Sequence, residues 1–249
     1  MAGHSKWANI KHRKARQDDK RGRMWSKCAR AIIVAARAGG GDPTMNLTLR
    51  YAIDEARAVN MPKDTIEKAV KKGSGELGGE DYEAVVYEGY GPSGVAVMIE
   101  TLTDNRNRTA PELRKIFDKF GGNLGTSGCV AFMFSARGMI LISKDAGDEE
   151  SIMMAALEAG AEDVTDEGEF WQVLTDPAQL HVVSDALAAN DIEVTSAERT
   201  MVPANTVECD SDIARKVLNL MDELDDHEDV QKAHANFDIP DEVFAALDA

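Results

Sequence analysis

Long apolar runs are missing from this 249-residue sequence. No stretch approaches the roughly 18 to 20 apolar residues that a membrane span requires, and the opening segment lacks the apolar centre of a secretory signal. The expectation is a cytosolic protein with no membrane partner. Cysteine is scarce too: Cys28, Cys129 and Cys209 lie far apart, are odd in number and form no CxxC. That excludes a disulfide framework and a thiolate zinc site, and leaves three small buried hydrophobes. The histidines, His4, His12, His181, His227 and His234, form no HExxH, and the acidic run "DELDDHEDV" (222–230) lacks the alternating acids and central glycine of a calcium loop. A solvated helix end is the expected reading of that run. No Ser/His/Asp or Cys/His order has supporting context, so the sequence predicts no catalytic residue, no metal and no cofactor.

One motif invites a nucleotide. Gly89-Tyr90-Gly91-Pro92-Ser93-Gly94 matches GxGxxG, yet a dinucleotide fingerprint needs a helix after it, and "VAVMIE" is strand-like. A kinase-type loop would need the VAIK, HRD and DFG motifs, and the chain has none of them. The expected role is a structural turn.

What the chain does carry is charge, unevenly spread. The formal net charge is -16, but residues 1–75 hold 17 Lys and Arg against 7 Asp and Glu, a net of +10. The remainder carries a net of -26. A basic lobe attracts polyanions and an acidic body repels them, which orients an encounter.

Periodicity organises the rest. Trp25, Cys28, Ala29, Ile32 and Ala36 fall on one helix face, stopped by Gly39-Gly40-Gly41. Leu49, Ala52, Ile53, Ala56 and Val59 repeat the spacing. A third helix, after Pro62, carries Ile66, Ala69 and Val70 and ends at Lys71-Lys72-Gly73. Beyond the Gly-rich linker "GSGELGGED" (73–81) the period falls to 2. "EAVVYEGY" and "GVAVMIETLT" form a hairpin, a helix begins near a Thr109/Glu112 capping box, and "CVAFMFS" reads as a third strand. Residues 138–199 read as β-α-β-β-α-β, the ferredoxin-like arrangement. The predicted fold is α+β: an N-terminal three-helix domain, then two α/β domains with four-stranded, ferredoxin-like sheets. The predicted boundaries are 1–78, then 79–135 with 203–249, with 136–202 inserted.

Two segments carry the candidate binding residues. From Lys6 to Arg37 eleven cations meet only Asp18 and Asp19. A solvated helix face mixes signs, whereas a density of one sign, with Lys and Arg used interchangeably, is the footprint of phosphate-backbone binding. The candidates are Lys6, Lys11, His12, Arg13, Lys14, Arg16, Lys20, Arg21, Arg23 and Lys27. Two other readings compete: a mitochondrial targeting peptide, which Asp18-Asp19 suits poorly, and an intramolecular clamp on the acidic body. The second segment, "LTDNRNRT" (102–109), sets Arg106 and Arg108 among Asp and Asn beside a helix start. They either pair with Asp104 and nearby acids to hold the loop or present a guanidinium fork to phosphate.

The motifs "MAGHSKWANIKHRK", "KRG", "GGGDP", "YEGYGP-G", "TDNRNRT" and "GGNLG-G-V", in this order along the whole chain, resemble the YebC family. That bacterial group includes PmpR-type regulators and is similar to a mitochondrial translational activator of cytochrome oxidase. Trp25 and Cys28 stand where the family more often has other apolar residues, which alters packing and leaves the charge pattern alone. The resemblance implies a three-domain, cytoplasmic, non-enzymatic regulator of gene expression. Its partner would be promoter DNA, as for a DNA-binding transcriptional regulator, or ribosomal RNA, as for a translation factor acting on ribosomes stalled at proline runs.

Overall fold

A computed structural model describes residues 21–78, 81–240 and 242–244. By contact density the described chain divides into two compact units, one of residues 21–129 with Asp212–Ala233, the other Val130–Ser211 with residues 234–244.

The first unit opens with helices α1 (Arg21–Gly39), α2 (Leu47–Ala58) and α3 (Lys63–Gly73). Helices of 11 or 12 residues are marginal alone. Tertiary burial holds them: Ile32, Ile33, Leu49, Ile53 and Ile66 are all buried in a shared core, each worth about 1.5–3 kcal/mol on the transfer scale. Asn46 fastens the α1–α2 corner. Its Oδ1 accepts the Leu49 N–H and caps α2, while its Nδ2 donates to the carbonyls of Ala35 and Gly40, each at 2.8 Å. Gly73 lets α3 lie against α1, since a Cβ there would stand 2.5 Å from the Ile33 carbonyl oxygen.

A four-stranded sheet comes next, in the order β3-β1-β2-β9, formed by β1 (Glu83–Tyr90), β2 (Ala96–Thr103), β3 (Asn123–Leu124) and β9 (Val230–Ala235). It carries α4 (Arg106–Lys119) and α7 (Ser211–Asp226). β1 and β2 pair antiparallel from Glu83↔Thr103 to Tyr90↔Ala96, so GxGxxG ends a strand and turns a hairpin, as expected. Gly89 is small because Phe117 of α4 and the Asn123 carbonyl crowd it, the latter 2.6 Å from where a Cβ would be.

Two local expectations are corrected. The helix after β2 starts at Arg106, with Asn105 as its cap accepting from the Asn107 and Arg108 N–H groups; Thr109 is buried within the first turn and caps nothing. The third strand is Asn123–Leu124, whereas Ala131–Met133 within "CVAFMFS" is a 3-10 turn that leads into β4. In the first case Asn105, nearer the strand, supplies the cap; in the second the Met133 N–H turns back to the Val130 carbonyl and interrupts the extended run.

The second unit contains β4 (Phe134–Ser143), α5 (Glu149–Glu158), β5 (Asp163–Asp166), β6 (Phe170–Thr175), α6 (Leu180–Ala189) and β7 (Ser196–Pro203). The strand order β5-β6-β4-β7, all pairs antiparallel, is the ferredoxin-like order for β-α-β-β-α-β. Alternation along β4 decides its two faces. Ile140 and Ile142 pack with Ile152, Val183 and Leu187 of the helices, whereas Met139 and Leu141 meet Leu174 on the other side. The short parallel pair β8 (Val207–Glu208) and β10 (Phe237–Asp238) belongs to the same unit. No helix among the described residues is long and apolar enough to cross a membrane.

Candidate nucleic-acid interface

Lys6, Lys11, His12, Arg13, Lys14, Arg16 and Lys20 lie outside the described residues, and Arg21 begins α1. Along α1, Trp25, Cys28, Ala29 and Ile32 face the helical core, with the Trp25 indole N–H donating to the Val59 carbonyl at 3.1 Å. Arg23, Lys27 and Arg30 recur at i, i+4 and i+7, a stripe on the opposite face at about 100° per residue.

That stripe meets the acidic end of α7. Arg23 pairs with Asp226 at 3.2 Å, and the Lys27 ammonium donates to the Asp225 carbonyl, where a cation suits the negative end of the helix. Arg30 donates to the Glu228 carbonyl, to the Glu228 carboxylate at 3.3 Å and to Asp229 at 3.2 Å, and its guanidinium lies 5.5 Å from the Tyr82 ring centre. For these three cations the clamp reading describes what the structure holds.

Asp229 is the centre of the cluster and is fully buried. It accepts from Arg108 at 3.0 and 3.1 Å and from the Thr109 hydroxyl at 2.7 Å. Thr109, having given its proton to the carboxylate, accepts in turn from Thr103 at 2.7 Å. Burial alone would raise the Asp229 carboxyl, but the Thr109 hydroxyl, Arg108 and Arg30 outweigh it and hold it below the ordinary carboxylate value. The same pairing raises Arg108 further above its already high value. Arg108 also pairs with Asp104 at 3.0 Å, and Arg106 with Glu83 at 2.6 Å. "TDNRNRT" thus builds a cap and an ion-pair network, the first of its two readings. His227 completes the surround: its Nδ1 accepts the Asp229 N–H, so Nε2 carries the proton toward Glu112 at 3.1 Å.

The sequence treated Asp229 as one acid in a solvated run, and the structure buries it. Nothing local distinguishes it, because its partners are 121 and 199 residues away. Glu88 was missed for the same reason: it is buried and accepts the Gly128 N–H at 2.6 Å, tying β1 to the glycine-rich loop. The cysteines are free thiols: Cys209 is buried and the other two are half-buried. Burial pushes Cys28 and Cys209 up to about 11, so neither is a ready nucleophile. Among the described residues no group of three His, Cys, Asp or Glu side chains could hold a metal ion.

Comparison with known proteins places this architecture. Residues 5–76 match the model of the TACO1/YebC protein N-terminal domain, and residues 82–237 that of the TACO1/YebC second and third domain. The chain belongs to the TACO1/YebC family. Family members named probable transcriptional regulatory protein include one from Persephonella marina, 55% identical over 96% of each chain. Another, from Dictyoglomus turgidum, is 54% identical over 99% of this chain and 100% of its own. The crystal structure of a conserved hypothetical protein from Aquifex aeolicus is similar at a TM-score of 0.82 and 46% identity, covering 90% of this chain and 93% of that one. The homologue names support a regulatory role.

Proposed function

We propose that this TACO1/YebC protein is a non-enzymatic, cytoplasmic regulator of gene expression that binds DNA through the phosphate backbone with its basic N-terminal segment. The observation that carries this reading is the charge asymmetry, +10 over residues 1–75 against -26 over the rest. Phosphate contacts need positive charge without base-reading geometry, which is what an irregular mixture of Lys and Arg supplies. Lys6, Lys11, His12, Arg13, Lys14, Arg16, Lys20 and Arg21 meet the polyanion in this reading, while Arg106 and Arg108 brace the first unit through Glu83, Asp104 and Asp229. The inserted division at residues 136–202 leaves the acidic domains to contact other proteins. The transcriptional names of the relatives favour DNA over ribosomal RNA as the partner.

Two measurements test the proposal. With about 5–8 phosphates engaged, log K for duplex DNA falls with log salt at a slope of about -4 to -7, and neutralising Lys11, Arg13, Lys14 and Arg16 flattens it by about 3 to 4. Unchanged affinity and slope in that variant would remove the segment from the site. Crosslinking in cell lysate separates the partners: discrete chromosomal sites support transcription, whereas recovery of ribosomal RNA without DNA replaces it with the translation reading.

A further inference from the structure

The acidic segment 222–229 has six acids in eight residues, and in the structure it does not face water alone. It occupies the cations of α1. Arg23 is on Asp226, Lys27 on the Asp225 carbonyl, and Arg30 on Glu228 and Asp229. These three cations directly continue the basic run through which the protein is proposed to meet nucleic acid. The groups they meet, the Asp226 carboxylate, the Asp225 carbonyl and the carboxylates of Glu228 and Asp229, follow one another along a helix end and the turn after it and set negative oxygens against each cation.

We infer that segment 222–229 is a built-in phosphate mimic that competes with nucleic acid for the α1 cations and so weakens non-specific binding. The inference rests on the proposed function, since it takes the basic segment to be the polyanion-binding end. The contacts differ in how readily they yield. The Arg23–Asp226 pair is about half exposed on both sides, and Glu228 is 64% exposed, so both exchange with solvent anions at little cost. Asp229 is fully buried and fixed by Thr109 and Arg108; it holds the layer together and is no part of the exchange. Strong polyanions displace the outer pairs and add Arg23 to the contact, while Arg30 stays on the buried Asp229. Weak or short ones leave the mimic in place.

The experiment uses the full chain with Asp226→Asn and Glu228→Gln together, and fluorescence anisotropy on a labelled 20-base-pair duplex of random sequence, with an RNA hairpin of equal charge as a second probe. Freeing Arg23 steepens the salt slope by roughly 0.9 and tightens binding about fivefold near physiological salt. Arg23→Gln in that background removes the steepening. A control carrying Glu149→Gln and Glu150→Gln on α5 makes the same change in net charge in the other unit and leaves the slope alone. If wild-type protein binds with the expected salt dependence and the double variant matches it, or if the α5 control gains equally, the mimic is refuted and the binding reading stands. If neither protein binds either probe at low salt, the binding reading itself fails and the mimic with it. A gain on only one probe identifies which backbone the mimic resembles.

Discussion

Replacing Asp229 by Asn tests whether the buried carboxylate is the centre of the first unit. Asparagine keeps the shape and one acceptor oxygen but removes the charge that Arg30 and Arg108 face. Breaking a fully buried ion pair costs about 3–5 kcal/mol. Here Arg108 is 36% exposed and Arg30 14%, so water can partly solvate the abandoned guanidinium groups, and the expected loss is nearer 2–3 kcal/mol. Urea unfolding at pH 7, followed by a probe in the first unit such as Trp25, measures it. The pH dependence gives the sharper check. Because the folded carboxyl is held below its ordinary value, its contribution is fully present above about pH 4 and is lost as pH falls through the lowered folded value. The gap between wild type and variant should therefore be constant from pH 7 to about pH 5 and shrink below about pH 4. A loss under about 0.5 kcal/mol at pH 7, or a gap that persists unchanged to pH 2, would refute the reasoning. A cycle with Arg108→Gln should show coupling of about 1–3 kcal/mol between the two residues.

Other outcomes rest on the same geometry. Asn46→Ala removes a helix cap and two buried donors and should cost about 2–3 kcal/mol in chemical denaturation, with Asn46→Asp recovering only the cap. Gly73→Ala forces a methyl group against the Ile33 carbonyl and should cost about 1–3 kcal/mol, although alanine is the better helix former. Glu88→Gln should speed amide exchange at Gly128 by about tenfold, since a neutral oxygen holds that N–H more weakly than a carboxylate does.

Much of this architecture was legible before the structure because it rests on local periodicity. Trp25, Ile32, Leu49 and Ile66 could be placed on helix faces from a spacing of 3.6, and Ile140 and Ile142 in a strand from their alternation. The hairpin role of GxGxxG was readable because the strand-like "VAVMIE" stands after it, where a dinucleotide site would place a helix. The misplaced helix start near Thr109 and the strand assigned to "CVAFMFS" are boundary errors, where two polar residues compete to cap or a turn interrupts an apolar run.

Charge separation belongs to the sequence by itself: residues 1–75 are basic and the rest acidic in any conformation, and with that comes the attraction to a polyanion. Which charges pair within the protein was decided only by the tertiary structure. Composition counts Arg23, Arg30 and Arg108 with every other cation, and Asp226 and Asp229 with every other acid. Bringing β9 beside β2, and the end of α7 against α1, pairs groups up to 199 residues apart, and burial then makes one of those acids a fixed part of the core. Salt screens exposed charges beyond about 8 Å, so proximity created by folding, not sequence content, selects which cations are paired within the protein.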